Sequence, residues 1–276
     1  MLSYRHAFHA GNHADVLKHA VLIHSLDYLL RKDKAVLYLD THAGAGGYDL
    51  ASGFAEQIQE YRHGVSRIIG QDGLPPLLRR YAEVVQAANP GREVTFYPGS
   101  PLIAWRLLRP CDPLRLHELH PADFAALQEA IPADPQVTIL QKDGLGGLVR
   151  ALPPPSRRGL TLIDPAYEVK TDYGDVPNAV ARAVERFATG TYMVWYPLLE
   201  TGAYRELKAA LQRVSGPKWL WVELQVRSHG GLFGSGCWVI NPAWDLPDAL
   251  RAAEPALVGL LGQDGAAALR IECALP

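Results

Sequence analysis

Leu160-Thr161-Leu162-Ile163-Asp164-Pro165-Ala166-Tyr167 is the stretch on which the fold turns. A short apolar run rich in β-formers predicts a buried strand, and Pro165 ends it abruptly. The strand then delivers a carboxylate, a stiff turn with an exposed carbonyl, and an aromatic ring. In an open parallel sheet, ligands bind at the carboxyl ends of the strands. Asp164, the Pro165 carbonyl and the Tyr167 ring suit an exocyclic amine on a flat base: two acceptors for its N–H groups and a ring to stack on it. A turn that carries Asp and Tyr for no chemical reason explains four residues equally well, so the neighbours must decide.

Outward from this strand, the chain alternates strand and helix. Leu114–Glu118 and Val137–Leu140 precede it as apolar strands, each followed by a helical stretch, at 122–130 and 145–152. A helix over 176–187 and a strand over Tyr192–Tyr196 follow. Earlier, a broad apolar stripe predicts a helix from Ala14 to Leu30, and Ala35–Leu39 predicts the first strand. This rhythm signals βαβ units in a parallel, doubly wound α/β sheet. Trp219–Val226 and Cys237–Asn241, joined by the glycine-rich residues 230–236, predict an antiparallel hairpin at the sheet edge. Residues 48–97 break the rhythm. Amphipathic stretches at Glu56–Ile69 and Leu77–Ala88 predict a helical insertion within a single domain spanning 1–276, on which Arg62, His63, Arg67, Arg79 and Arg80 share a basic face. Ser100 is expected to cap the next helix, with Pro101 in its first position.

Four consecutive strands end in acids or glycine turns: Asp40-Thr-His-Ala-Gly44-Ala-Gly46, Glu118, Asp143-Gly144 and Asp164. Glycines allow backbone to approach a cofactor closely, and an acid after the second strand can accept from ribose hydroxyls. Any one of these acids is readily explained as a cap or turn former; their occurrence at four strand ends in order favours a nucleoside-bearing cofactor. Asp164–Tyr167 resembles the D/N-P-P-Y motif of S-adenosylmethionine-dependent amino-methyltransferases, with Ala166 in place of the second Pro. Asn241-Pro242-Ala243-Trp244 imitates that motif, but an antiparallel last strand puts it on the opposite edge, as a structural strand exit.

Composition is that of an ordinary globular chain, with 48% hydrophobic and 20% charged residues and a net charge of −2. No global field marks a nucleic-acid binder, so a polyanion would need a local basic patch. Cys111, Cys237 and Cys273 lack metal or disulfide spacing, and no segment is apolar enough for a signal or a membrane span; a cytoplasmic protein without membrane contact is expected. The start is unusual. Tyr4, His6, His9 and His13 stand in a short polar arm, 1–13, without the accompanying carboxylate pattern of a metal site. The arm is expected to touch RNA, with Tyr4 stacking on a base.

Tyr4-Arg-His-Ala-Phe-His-Ala-Gly-Asn-His-Ala-Asp-Val-Leu-Lys-His19, Leu39-Asp-Thr-His-Ala-Gly-Ala-Gly46, Tyr97-Pro-Gly-Ser-Pro101 and Ile163-Asp-Pro-Ala-Tyr167 together resemble the ribosomal RNA large subunit methyltransferase J family, the 23S rRNA (adenine(2030)-N6)-methyltransferases. The resemblance spans essentially the whole chain. It implies a class I, Rossmann-like, seven-stranded, mostly parallel sheet with a C-terminal antiparallel hairpin. It implies S-adenosyl-L-methionine as methyl donor, leaving as S-adenosyl-L-homocysteine. The donor would be held by His19, His42, Gly44, Ser100, Glu118, Asp143, Gly144 and Asp164, with Lys18 beside its amino-acid end. Asp164, Pro165 and Tyr167 would carry the chemistry, and Tyr4 and His6 would meet the target adenine. The implied partner is 23S rRNA, naked or early in assembly, acted on by a monomer that is involved in rRNA processing. DNA adenine or a protein amide is the alternative substrate, and a catalytically silent RNA-binding module the alternative class.

Overall fold

The computed structural model describes residues 6–51, 59–91 and 93–275. Helix α1 (His13–Leu30) starts at Asn12, whose side-chain oxygen accepts from the amides of Ala14 and Asp15. Every residue from His13 to Ile23 is buried, so α1 is enclosed on all sides there and its polar Asp15, Lys18 and His19 must find partners inside. Strand β1 (Leu37–Asp40) leads into a small two-stranded antiparallel sheet, β2 (Gly47–Asp49) with β3 (Phe96–Pro98), which closes the base of the insertion.

Within the insertion, helix α2 (Pro76–Gln86) forms as expected. The first predicted helix does not. Its described part is two short turns of 3₁₀ helix, Glu60–His63 and Val65–Arg67, broken at Gly64; residues 52–58 lie outside the described residues. A Cβ on Gly64 would stand 2.1 Å from the Gly11 carbonyl oxygen, so the chain breaks where it docks against the start of α1. The Val65 amide donates to that same carbonyl. The expected basic face is also divided: Arg80 pairs with Asp27 and Arg79 donates to the Leu74 carbonyl, while His63 and Arg67 meet each other on a cavity wall.

The remaining elements are α3 (Ser100–Leu107), β4 (Leu114–His117), α4 (Pro121–Ala130), β5 (Val137–Leu140), α5 (Gly144–Leu148), β6 (Gly159–Ile163), α6 (Asp172–Arg186), β7 (Thr191–Leu199), α7 (Tyr204–Val214), β8 (Trp219–Gln225), β9 (Leu232–Ile240), α8 (Leu246–Leu261) and β10 (Ala268–Ala274). The large sheet runs β10-β8-β9-β7-β6-β1-β4-β5, with β1, β4, β5, β6 and β7 parallel. It has eight strands where seven were expected. Strand β10 pairs antiparallel along β8 and takes the edge, and β9 lies inside, between β7 and β8. Strand β9 also begins earlier than Cys237. Gly234 and Gly236 belong to it because a Cβ there would strike the Leu224 carbonyl and the Tyr196 ring.

Side chains alternate across the sheet with period two. Tyr38, Leu160, Leu162 and Met193 face the layer of α1, α2, α3 and α8. Leu39, Ile163, Tyr192 and Val194 face α6 and α7. Asn241, after β9, registers with the start of β7 and ties that turn by donating to the Ala188 and Gly190 carbonyls. It therefore sits on the edge opposite Asp164, and Trp244 is 66% exposed. Among the described residues, no helix is long and apolar enough to cross a membrane.

Candidate active site

The parallel strands deliver their acids to one edge, where the strand order reverses between β1 and β6. Asp40, at the end of β1, is fully buried and accepts from Tyr38 Oη (2.8 Å), Ser100 Oγ (2.7 Å) and the His42 amide (3.1 Å). Burial pushes its carboxyl up to about 6, against these stabilising hydrogen bonds. Because Ser100 serves Asp40, it does not cap α3: Gly99 occupies that position, and Ser100 and Pro101 are the first two helical residues.

Two glycines bring backbone together at the same edge. Gly44 has φ +61°, and its amide donates to Glu118 Oε2 at 2.8 Å, while the His120 amide donates to Oε1 at 2.7 Å. A Cβ on Gly144 would lie 2.1 Å from the Thr41 carbonyl oxygen, so α5 starts in contact with the β1 loop only as glycine. Asp143 caps α5 by accepting from Leu145 and Gly146. Each of these carboxylates retains unused lone pairs. Burial keeps the nearby imidazoles neutral, lowering His42 to about 4 and His19 to about 3. Nδ1 of His19 meets Tyr97 Oη at 2.7 Å, and its Nε2 has no partner among the described residues.

Asp164 closes the set from β6. Lys18 Nζ donates to its Oδ2 at 2.7 Å and to Asp15 Oδ1 at 2.9 Å. Asp15 in turn accepts from the Gly11 amide (2.8 Å) and meets His6 Nε2 (2.9 Å). A continuous chain, His6–Asp15–Lys18–Asp164, thus runs from the N-terminal segment to the strand end. Burial opposes both inner charges. The carboxylates nevertheless hold Lys18 well above its usual range, and His6 and Lys18 hold Asp15 well below its own. Residues 6–13 are therefore not a projecting arm: they fold onto the body through these contacts and the His9–Glu60 pair. Tyr4 lies outside the described residues.

Tyr167 departs from the expectation that its ring is open for stacking. Its φ of +53° turns the side chain inward, where it is 6% exposed, 4.6 Å from the Tyr173 ring, and donates from Oη to the Trp195 carbonyl at 2.9 Å. Pro165 and Ala166 still face the cavity, and the aromatic wall there is Trp195, with Lys18 Nζ 5.8 Å from its ring centroid. Trp195 is not marked in the sequence because it sits mid-strand among buried residues, with the polar-tipped aromatics Tyr192 and Tyr196 in the same run.

All of this borders one cavity of about 1330 Å³, which takes in every predicted site residue except Tyr4 and Tyr167. Small-molecule sites usually enclose about 300–1,000 Å³, so there is room for more than one ligand. Six buried side-chain polar atoms lack partners among the described residues, and four of these belong to residues on this wall: His13 Nδ1, His19 Nε2, Trp195 Nε1 and Arg227 Nε. Buried polar groups are ordinarily satisfied, so a wall that concentrates the exceptions is built for bound molecules.

Comparison with known proteins agrees with the geometry. The family model described as ribosomal RNA large subunit methyltransferase D, RlmJ, matches residues 33–272. A ribosomal RNA large subunit methyltransferase J from Escherichia coli K12 is 47% identical over 258 residues, covering 92% of each chain. Its counterpart from Haemophilus influenzae Rd is 42% identical over 280 residues, covering 100% of both. The crystal structure of protein LPL1258 from Legionella pneumophila Philadelphia 1 superposes with a TM-score of 0.90 at 35% identity, over 96% of this chain and 98% of that one. With matches of this extent, the chain belongs to the ribosomal RNA large subunit methyltransferase J family.

Proposed function

We propose that this chain methylates the exocyclic N6 of an adenine in 23S rRNA, adenine 2030 by family resemblance, using S-adenosylmethionine. The observation that carries the chemistry is the Asp164–Pro165 strand end, set in the wall of a cavity whose adjoining wall is built to hold a nucleoside. The residues fit that donor. Glu118 offers free lone pairs for ribose hydroxyls, Asp143 an acceptor for an adenine amine, and the glycine contacts at Gly44 and Gly144 a close backbone cradle. The orphaned Nε2 of His19 and the start of α3 suit its amino-acid end. When bound, the donor supplies an electrophilic methyl group on a sulfonium.

The chain's part is to present the amine. An adenine N6 is a poor nucleophile because its lone pair is delocalised into the ring. Hydrogen bonds from its two N–H groups to Asp164 and to the Pro165 carbonyl favour a pyramidal nitrogen. Lys18 takes Asp164 Oδ2, which leaves Oδ1 as acceptor and fixes the carboxylate's orientation. Asp164 then receives the proton that the methylated amine sheds. Trp195 offers the flat surface that Tyr167 does not. Holding both reactants in one cavity accounts for much of the rate gain. Asp164→Ala should lower labelled methyl transfer to unmodified 23S rRNA by about 10²–10⁴-fold; full activity would sink the scheme. Parallel assays on DNA and on protein separate the alternative substrates.

A further inference from the structure

Beyond Asp164, the cavity runs on to an end that the methyl donor and the reacting amine do not need. Three distant segments wall it: His13 at the start of α1, Arg67 of the insertion, and Arg227 just after β8. The two arginine segments converge at the end of α8. Arg67 Nη1 donates to the Leu260 carbonyl at 3.2 Å, and the Gln263 amide donates to the Val226 carbonyl at 2.7 Å, beside Arg227. Arg67 also meets His63 Nδ1, and Arg227 Nη2 donates to the Leu232 carbonyl at 3.3 Å. Among the described residues, neither guanidinium pairs with a carboxylate. Glu60, an acid on the same wall, is engaged by His9 and Asn12. His13 is 6% exposed with Nδ1 unpartnered, and Arg227 Nε is buried without an acceptor. Another part of the wall is net acidic, with Glu168, Asp172 and Asp175 against the single cation Arg182.

Two unneutralised guanidinium groups and an unsatisfied imidazole in a cavity wall are the chemistry of a phosphodiester site. We propose that His13, Arg67 and Arg227 hold the RNA phosphate and sugar next to the flipped adenosine, so that the strand enters along this end and is kept off the acidic part of the wall. The site rests on the rRNA reading above. His13 acts as a neutral hydrogen-bonding group, since burial, with Arg227 nearby, lowers it to about 4 despite the opposing charge of Glu60. The two arginines carry the charge.

The test uses the full-length chain, a 23S hairpin fragment lacking the mark, and initial rates between 50 and 200 mM KCl. Arg67→Gln and Arg227→Gln should each raise KM for RNA about tenfold, with the loss falling on KM rather than kcat. Each should also flatten the slope of log KM against log salt by about 0.7, the value for one single-strand phosphate contact. Arg227→Lys should keep the slope. His13→Ala should raise KM and leave the slope alone, because it removes no charge. A wild-type slope in both glutamine variants would overturn the site. So would a loss of S-adenosylhomocysteine affinity in Arg227→Gln and Arg227→Lys alike, which would place the residue in the fold. Transfer by the unaltered chain to DNA or protein but never to RNA would instead remove the rRNA reading, and the site with it.

Discussion

Lys18→Met tests whether the buried ammonium is what holds the catalytic edge together. Lys18 and Asp15 are 6% and 1% exposed at their side chains, and Asp164 is 14% exposed. At 2.9 Å to Asp15 and 2.7 Å to Asp164, and an effective dielectric of about 20, each contact to Lys18 represents roughly 6 kcal/mol of attraction, most of it offset by desolvation. Methionine preserves the bulk and removes the cation, leaving two carboxylates facing each other's field. Breaking a buried pair in this way costs about 3–5 kcal/mol. For a chain of this size that lowers Tm by roughly 10 °C. The double variant Asp15→Asn/Lys18→Met removes the more deeply buried of the two stranded charges and should recover more than half of the loss, since the amide oxygen of the introduced asparagine can still accept from Gly11. The pH window follows from the shifts. The Asp15 contribution is present above the ordinary carboxylate range and is lost as pH falls through its depressed value. That of Lys18 is present below the ordinary lysine range and is lost as pH rises through its raised value. Both are complete at pH 7, where urea titration of the four species in the cycle should be run. A loss below about 1 kcal/mol in Lys18→Met, or a double variant no more stable than the single, would refute the reasoning.

Two further outcomes are expected. Asp40 has its folded pKa raised from 3.8 to about 6, so the stability it contributes is fully present below pH 3.8 and lost as pH rises through 6, a change of about 3 kcal/mol. Asp40→Asn lacks this term, and its stability relative to the parent should climb by that amount between about pH 4 and 7; a flat difference in urea titrations would mean Asp40 is not the titrating group. Tyr167→Phe should cost about 1–3 kcal/mol by stranding the Trp195 carbonyl, with kcat within about threefold of the parent. A hundredfold fall in kcat at unchanged stability would put the Tyr167 hydroxyl in the chemistry.

What the sequence discloses here divides along a physical line. Strands β1, β4, β6 and β7 are almost wholly buried and β5, at the sheet edge, is partly so; each is an apolar run whose end is marked by an acid or a glycine, and both marks are local. Glu118, Asp143 and Asp164 are legible for that reason. Helix α8 carries a weaker mark because it contains Pro255, whereas the edge strand β10 alternates Leu269, Ile271 and Cys273 with Arg270 and Glu272, a legible period-two pattern that a seven-stranded expectation leaves unused. The orientation of Tyr167 rests on one positive φ, which no residue type at that position announces. Lys18 and Asp164 stand 146 residues apart, and Arg67 and Arg227 are farther apart still, so their meetings exist only once the sheet has formed. Even so, one part of this is available in principle. A helix whose apolar stripe is as broad as that of α1 is largely enclosed, and a lysine and an aspartate three residues apart inside it cannot remain charged without further partners. Asp15 and Lys18 satisfy each other only in part. The second carboxylate that Lys18 requires must come from another strand end, and of the acids at that edge only Asp164 is left without a capping or loop-holding duty.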